Sequence, residues 1–247
     1  MPRLDFLDVS HWQSDRGAID WSAVRAAGVL GVIIKATEGT SYKDPGYKQN
    51  RDGALKAGLK VASYHFLKHG SISDQMDHYL TTVAPKQGER LVIDYEDVTL
   101  GYADLRDAVG YLMSFAPLCE IAVYGSAKLT DDVRAAGDKA ETDLSGTSAW
   151  MARYSSKEPE VATNAWPTWS AWQYSQEGDV GGVTGPVDLN TFNGSRGACA
   201  EWIGPPTAKP EPGPEPTPEP VVIVEIEIAA PAGVRVDVRV NGEKVSG

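Results

Sequence analysis

Short apolar runs alternate with amphipathic stretches along about the first 200 residues of the chain. The runs are rich in Val, Ile, Leu and aromatic residues, as expected of strands that are buried on both faces. Eight strands are predicted, over residues 3–10, 31–37, 59–66, 90–96, 120–124, 148–154, 169–174 and 187–191. A regular exchange of strand and helix signals is typical of parallel α/β proteins.

Helices are predicted between the strands, over residues 20–27, 45–57, 73–83, 103–115 and 126–136. Several begin beside a capping residue and end near a glycine: Asp20, Asp44 and Ser73 at the starts, and Gly28, Gly58 and Gly137 at the ends. After Ala136 the helical pattern fades and the loops become rich in Gly, Ser, Thr and Trp. The pattern predicts a (β/α)8-type barrel whose last third is irregular, with a doubly wound open sheet as the alternative.

The fourth predicted strand runs directly into a cluster of acids at residues 91–97 (LVIDYED). Side chains alternate along a strand, so Asp94 and Glu96 point the same way, and their backbone positions are about 6–7 Å apart. Paired carboxyls at the end of a strand are what glycoside hydrolysis uses: one donates a proton to the leaving oxygen and the other stabilises or attacks the sugar cation. A solvated turn is the alternative interpretation of this Asp-x-Glu.

Two further acids, Asp8 and Asp188, lie in the first and the eighth predicted strands. If the strands close into a barrel, Asp8, Asp188 and the Asp94–Glu96 pair converge on one mouth. Several like charges in a confined space raise the pKa of at least one of them, which would supply a proton donor at neutral pH. Taken singly, Asp8 and Asp188 also fit capping or turn residues.

The composition changes abruptly after Gly204, where prolines alternate with acids through residues 205–220. Such a segment is expected to be an extended, semi-rigid spacer. Beyond it, residues 221–230 and 234–240 have strong β propensity, with turn signals at 231–233 and 241–242. The sequence therefore predicts a barrel over 1–204, a linker over 205–220 and a small β-hairpin or meander over 221–247.

The chain carries a formal net charge of −11 and shows no stripe of Lys and Arg. Nucleic acids and anionic membranes attract clustered positive charge, so neither is an expected partner. Residues 1–6 lack the apolar core of a signal peptide, and no stretch approaches the ~20 apolar residues of a membrane span. The sequence therefore predicts a protein that is made in the cytoplasm and is soluble there.

Cysteine and histidine usage gives no sign of a disulfide framework or a metal site. Cys119 and Cys199 lack the density and spacing of either, and both are expected to be buried thiols. The four histidines, His11, His65, His69 and His78, are scattered, and His65 is expected to pack beside the pocket. No Gly-x-Ser-x-Gly motif or glycine-rich phosphate loop occurs, so no cofactor is expected.

Six ordered motifs at predicted strand ends resemble glycoside hydrolase family 25, the muramidases or Chalaropsis-type lysozymes. They are Asp8-x-Ser10-x-x-Gln13, Lys35-Ala36-Thr37-Glu38-Gly39, Tyr64-His65-Phe66, Asp94-x-Glu96, Trp172-Gln173-Tyr174 and Asp188-x-Asn190. The resemblance covers roughly residues 4–202 and excludes the tail. It implies a flattened, irregular barrel that cleaves the β-1,4 bond between N-acetylmuramic acid and N-acetylglucosamine in peptidoglycan, with a retaining outcome.

The same resemblance assigns roles to the acids. It makes Glu96 the general acid, and Asp94 the group that stabilises the cation or positions the N-acetyl group of the substrate. Asp8 and Asp188 complete the acidic rim. A covalent glycosyl ester and an oxazoline made by the substrate's own acetamide both remain open as intermediates.

Aromatic residues near strand ends are candidates for binding sugar. Tyr64, Tyr124 and Tyr154 are expected to hydrogen-bond the acetamide or to stack on the sugar, with core packing as the alternative. Trp12, Trp150 and Trp172 rank below them, because tryptophan in a barrel usually belongs to the core.

Lys35 is expected to be held by one of the acids at the mouth and to orient it, with Glu38 as a bystander. The lysine is a supporting residue in this interpretation, and not a catalytic one.

Three classes of function fit the sequence. The first is a muramidase without a secretion signal, as in a phage or prophage endolysin that waits in the host cytoplasm and reaches the wall after the membrane is permeabilised. The second is a chitinase-like or N-acetylglucosaminidase barrel, although the longer Asp-x-x-Asp-x-Asp-x-Glu run is missing. The third is a wall-binding module that has lost catalysis, against which the intact set of acids argues.

The tail should associate with a partner. In residues 234–240 valines alternate with polar residues, and residues 221–228 show a similar alternation, so each run has one apolar face. So small a hairpin does not bury such a face by itself. The barrel, an identical tail and a wall polymer are the candidate partners, and the spacer disfavours the barrel. An exposed apolar edge strand pairs readily with its own copy, which favours a homo-oligomer through residues 221–247, with wall targeting as the alternative.

We expect the full chain to have a larger mass in solution than a chain that ends at Gly204, as measured by light scattering. Equal monomeric masses would contradict association through the tail. An unchanged affinity for intact walls after the truncation would contradict wall targeting.

Overall fold

A computed structural model describes residues 2–205 of this 247-residue chain, together with the backbone of residues 239–240 and 243–244. The chain divides into two units, Met1–Thr207 and Ala208–Gly247. In the first unit the predicted strands close into a barrel, so the fold class is confirmed and the open-sheet alternative is wrong.

Nine strands form the sheet of the first unit, and eight of them make the closed barrel. They are β1 (Phe6–Val9), β2 (Gly31–Glu38), β3 (Tyr42–Lys43), β4 (Lys60–Phe66), β5 (Arg90–Asp94), β6 (Glu120–Gly125), β7 (Thr147–Ala152), β8 (Ala171–Gly178) and β9 (Val187–Phe192). Their order is β1-β9-β8-β7-β6-β5-β4-β2, and β1 pairs with β2 to close the ring. The short β3 pairs only with the end of β2.

The last strand departs from the parallel arrangement. The pairs from β1–β2 round to β7–β8 are parallel, whereas β9 runs antiparallel to both β8 and β1. The segment 179–186 between β8 and β9 is shorter than the dozen or so residues that a parallel crossover needs, so the chain turns back on itself. As a result β9 begins, rather than ends, at the rim where the parallel strands end.

Eight helices accompany these strands in the described part of the chain. They are α1 (His11–Asp15), α2 (Trp21–Ala26), α3 (Tyr47–Lys56), α4 (Ile72–Val83), α5 (Tyr102–Phe115), α6 (Ala127–Ala136), α7 (Lys139–Asp143) and α8 (Arg196–Ile203). The five predicted helices correspond to α2 to α6, while α1, α7 and α8 were not predicted. Within residues 2–205 no helix lies between β7 and β9, which confirms the irregular last third.

The N-cap residues of three helices can be compared with the prediction. Asp20 caps α2 as predicted, because its carboxylate accepts from the N–H groups of the first turn. Ser71 caps α4 instead of the predicted Ser73. The N-cap of α3 is Gly46 and not Asp44, since the Asp44 carboxylate instead accepts from the N–H groups of Gly46 and His11.

The barrel interior is arranged in two layers. The lower layer is apolar and includes the strand residues Phe6, Ile33, Ala62, Val92, Ala122 and Ala171. Two residues further along the same strands, side chains return to the interior and are mostly polar: Asp8, Lys35, Tyr64, Asp94, Tyr124 and Gln173. Helix α8 packs Cys199 and Ile203 against the apolar layer. The chemistry is therefore confined to the end where the parallel strands terminate.

A buried carboxylate joins the chain start to the last strand. Asp5 is fully buried and accepts from Arg3 at 2.7 and 2.9 Å, from the Phe192 N–H at 2.9 Å and from Thr191 Oγ1 at 3.2 Å. Arg196 of α8 lies 3.4 Å away. A charge-assisted network of this kind fixes β1 against β9, the pair that carries Asp8 and Asp188.

The cysteines differ in exposure. Cys199 is buried as predicted, but Cys119 is partly exposed, because it follows the end of α5 at the edge of the helix layer. Among the described residues no helix is long and apolar enough to cross a membrane.

In the second unit, β10 (Arg239–Val240) and β11 (Glu243–Lys244) form an antiparallel pair around the predicted turn at 241–242. Most of the predicted linker and β module lies outside the described residues.

Candidate active site

A cavity of about 170 Å³ opens where the parallel strands end. Its lining residues are Asp8, Tyr64, Asp94, Glu96, Tyr124, Trp150, Tyr154, Gln173, Gln176 and Asp188. The four acids that the sequence singled out thus lie around one cavity. Asp8 and Asp188 are direct partners across the antiparallel β1–β9 pair. This pairing is possible because β9 begins at the rim.

Strand β5 ends at Asp94, two residues earlier than predicted, yet Asp94 and Glu96 still face the same cavity. The reason lies in Tyr95 between them. Its N–H donates to the Tyr124 carbonyl at 2.8 Å, and its buried side chain points outward, where the hydroxyl donates to Asp132 at 2.8 Å. The alternation of side chains therefore continues past the last strand residue.

Asp8 is buried and is held by amide groups. Gln173 Nε2 lies 3.0 Å from each carboxylate oxygen of Asp8, and Asn190 Nδ2 donates to Oδ1 at 2.7 Å. Burial raises the pKa of Asp8, while the hydrogen bonds from Asn190 and Gln173 oppose that rise. Asp188, beside it, has its pKa raised to about 9 by burial and by the charge of Asp8. Of the two carboxyls, Asp188 therefore favours the proton, because the amide N–H groups of Gln173 and Asn190 stabilise the charged form of Asp8.

Asp94 and Glu96 form the second pair of acids. Burial and the neighbouring Glu96 charge raise the pKa of Asp94 well above its ordinary range, and Lys35 opposes the shift. The pKa of Glu96 is raised by burial and then by Asp8. Charge on one of these carboxyls opposes ionisation of the other, so the two titrate as a pair. Glu96 is the more exposed of the two, whereas Asp94 lies deeper, and its Oδ1 has no hydrogen-bond partner among the described residues.

The three predicted tyrosines all line the cavity. Tyr124 and Tyr154 each donate their hydroxyl to Gln173 Oε1 at 2.7 Å. Burial raises the pKa of Tyr64 and Tyr124 well above the ordinary value and that of Tyr154 to about 12, so all three are neutral phenols. They offer hydrogen-bonding oxygens and ring faces, but no charge, to a ligand.

Only one of the three candidate tryptophans reaches the cavity. Trp150 lines it, and its indole N–H donates to Asn190 Oδ1 at 2.9 Å. Trp12 lies on α1, is 63% exposed and packs on the His11 ring. Trp172 faces the opposite side of β8, where it contacts Trp169 and Tyr174 and lines a separate cavity of about 780 Å³. Strand alternation places it there, because its neighbour Gln173 faces inward.

Lys35 has a different partner from the predicted one. Its Nζ lies 2.6 Å from Glu38 Oε2 and stands over the rings of Phe66 and Tyr42. The interpretation of Glu38 as a bystander is therefore wrong. Lys35 still favours ionisation of Asp94, but through space rather than by direct contact.

Histidines take no part in the cavity. His65 is buried between β4 and α4, where it bonds Thr37 Oγ1 at 2.8 Å and Gln75 Oε1 at 3.3 Å, so it packs behind the strand and not beside the pocket. Burial lowers its pKa to about 4. His11 pairs with Asp44 at 2.9 Å. Within the described residues no group of three or more His, Cys, Asp or Glu side chains is arranged to hold a metal ion.

Three polar residues of the site were not predicted from the sequence: Gln173 and Asn190, which occur in the motifs without an assigned role, and Gln176. Gln173 and Asn190 are buried and hold Asp8, and Gln176 lines the cavity. For Gln173 the available signal was its position between the aromatic residues Trp172 and Tyr174, because an inward amide in a strand implies a polar partner.

The chain is similar to known proteins both in sequence and in fold. The sequence model of the family described as "Glycosyl hydrolases family 25" matches residues 7–183. Lysozyme M1 of Streptomyces globisporus is 34% identical over 208 residues, covering 76% of this chain and 67% of the relative. The autolytic lysozyme of Clostridium acetobutylicum is 30% identical over 187 residues, which are 73% of this chain. This chain spans only about half (54%) of the length of that relative. Among solved structures, the bacterial lysozyme from Streptomyces coelicolor matches with a TM-score of 0.68 at 30% identity, covering 83% of this chain and 98% of that one.

The raised pKa of Asp188 makes the stability of the fold depend on pH. The folded chain keeps this proton between the ordinary carboxyl value of 3.8 and about 9, whereas the unfolded chain releases it. Unfolding therefore releases a proton in that window, and the free energy of unfolding falls as the pH rises. In Asp188→Asn we expect a shallower fall and a Tm about 2–4 °C above wild type at pH 8, measured by calorimetry across pH.

Asp107→Asn is the matched control for this measurement, since Asp107 is an exposed carboxylate paired with Arg106. If the free energy of unfolding fell equally with pH in Asp188→Asn, Asp107→Asn and wild type, the Asp8–Asp188 pair would not share a proton.

Proposed function

The chain belongs to glycosyl hydrolases family 25, and from this premise we propose that it is a muramidase that hydrolyses the β-1,4 bond between N-acetylmuramic acid and N-acetylglucosamine in bacterial peptidoglycan. The observation that carries the proposal is the pairing of Asp94 and Glu96 in one small cavity among neutral tyrosines. Two carboxyls with displaced pKa values are what glycoside hydrolysis requires.

The different depths of the two acids suggest their roles. Glu96 is open to the mouth of the cavity and reaches the glycosidic oxygen of an entering chain, so it delivers the proton. Transfer of that proton leaves negative charge on the Asp94–Glu96 pair as positive charge develops on the sugar ring. Asp94, whose Oδ1 has no partner among the described residues, faces that cation or the acetamide N–H beside it. The expected stereochemical outcome is retention.

We expect Glu96→Gln to reduce lysis of Gram-positive walls by at least about 10³-fold, because the amide keeps the volume but carries no transferable proton. Asp94→Asn should cost somewhat less. Turbidity loss gives the rate and thermal unfolding gives the fold. Asp107→Asn, on an exposed surface, is the control that should lyse normally.

Analysis of the new reducing ends identifies the bond that is cleaved. Muramic acid ends support the proposal, whereas glucosamine ends would assign an N-acetylglucosaminidase instead. An absence of new ends with wall binding retained would leave a binding module. A Glu96→Gln protein that lyses near the wild-type rate would remove Glu96 from the role of acid.

We further propose that the enzyme serves as an endolysin of phage or prophage origin, which accumulates in the host cytoplasm and reaches the wall after the membrane is permeabilised. The arrangement of a catalytic barrel, a Pro/Glu-rich segment and a β-prone tail supports a wall hydrolase built from modules. Bacteria that make the chain should lyse only when a pore-forming agent is added, as followed by culture turbidity. Lysis at the same rate without the agent would contradict this role.

A further inference from the structure

The side-chain amide of Gln173 joins Asp8 to two tyrosines of the cavity. Its nitrogen lies 3.0 Å from both carboxylate oxygens of Asp8, and its oxygen accepts from the hydroxyls of Tyr124 and Tyr154 at 2.7 Å each. Gln173 itself is only 2% exposed. All four polar contacts of this one group are therefore made in the interior of the site.

The partners fix the orientation of the amide. With nitrogen and oxygen exchanged, the carbonyl would face the two acceptor oxygens of Asp8 and repel them. Neighbours in β8 hold the backbone as well, because Trp172 packs on the outer face and its indole N–H donates to the Arg153 carbonyl at 2.7 Å.

The amide distinguishes Asp8 from Asp188. Gln173 and Asn190 supply the N–H groups that stabilise an ionised Asp8, whereas in the described part of the chain no amide donor reaches Asp188. Asp188 instead stands directly opposite Asp8 across the β1–β9 pair. A neutral amide stabilises a carboxylate without cancelling its charge. Asp8 thus remains a negative charge that acts on Glu96 across the cavity.

The amide also determines what the tyrosines offer to a ligand. Because both hydroxyl protons are directed to Gln173 Oε1, the two phenol oxygens that line the cavity have no proton left to donate to a ligand. They are set to accept hydrogen bonds, and so to favour ligand groups that donate, such as sugar hydroxyls or an acetamide N–H.

We propose that Gln173 is a positioning residue of the reaction, which keeps Asp8 ionised beside a protonated Asp188 and presents Tyr124 and Tyr154 to the substrate as acceptors. The inference rests on the proposed function, since the reaction is the one assigned to Asp94 and Glu96. It adds a residue that touches neither the reacting bond nor the two acids that act on it.

Replacement of Gln173 by methionine tests this role, because methionine keeps the length but removes the donors and the acceptor. Without two of its hydrogen bonds Asp8 stays protonated to higher pH, and its charge no longer raises the pKa of Glu96. Glu96 then loses its proton earlier as pH rises. We expect the alkaline limb of kcat/KM to move to lower pH by roughly one unit, with KM raised by the loss of ordered tyrosines.

Gln75→Met is the matched control. Gln75 is fully buried and makes hydrogen bonds to His65 and to both backbone groups of Lys68, but it lies outside the cavity. Its loss should lower thermal stability and leave the pH limits of activity in place. Alkaline limbs that coincide in Gln173→Met, Gln75→Met and wild type would overturn the proposal.

Gln173→Glu provides a second variant should the methionine variant fail to fold. While its new carboxyl group is protonated, that group donates to Asp8 and accepts from the tyrosines much as the amide does, but once ionised it repels Asp8. Activity should therefore stay near wild type at acidic pH and fall as pH rises through the titration of the new group. Equal impairment at every pH would contradict the proposed role.

Carboxyl ¹³C titration of the folded protein separates this proposal from the proposed function. In wild type one member of the Asp8–Asp188 pair is ionised at neutral pH, and in Gln173→Met both should remain protonated to higher pH. If the wild-type chain cleaves no peptidoglycan, the proposed function fails while this titration still tests Gln173. Identical titration curves in the two proteins would refute the role of Gln173 whatever the activity.

Discussion

Side-chain alternation along strands that close into a barrel is the constraint on which the site depends. Interior residues stand two apart on each strand, so an apolar layer that includes Phe6 and Ile33 is followed by a layer that includes Asp8 and Lys35. The lower layer, closed by α8, supplies the apolar contacts of the interior. The upper layer is then free to carry groups that would be costly in a continuous core.

Buried carboxyl groups in this protein are accommodated in two different ways. Asp5 is held by Arg3 and lies within reach of Arg196, so its charge is compensated and it serves to fix the strands. Asp8 is held by neutral amides, which lower the cost of its burial without cancelling its field. Burial raises the pKa of Asp188 and Glu96, and the uncompensated charge of Asp8 raises both further.

The side of the barrel without helices explains where the aromatic residues lie. Within residues 2–205 the connections from β7 to β9 are loops, so the outer face of β8 is covered by Trp169, Trp172 and Tyr174 instead of by a helix. The same irregular stretch brings Tyr154, from the loop after β7, to the cavity. Where a loop takes the place of a helix, Tyr154 can therefore reach the cavity, and Trp169, Trp172 and Tyr174 cover the barrel.

The sequence by itself determined the strands, most helices, the barrel class and the four acids. Those features depend on local periodicity, and an acid such as Asp94 at the end of an apolar run is visible without knowledge of its neighbours in space. The six short motifs also indicated the family, because they follow one another along the chain at successive strand ends. Only the tertiary structure decided how those residues meet: the reversal of β9, the choice of Glu38 as the partner of Lys35, the outward position of Trp172 and the contacts of Gln173. Periodicity shows that faces alternate but does not show which group stands opposite. That choice is made when the strands pair and the ring closes, because hydrogen bonding and burial then act between residues as far apart as Asp8 and Gln173.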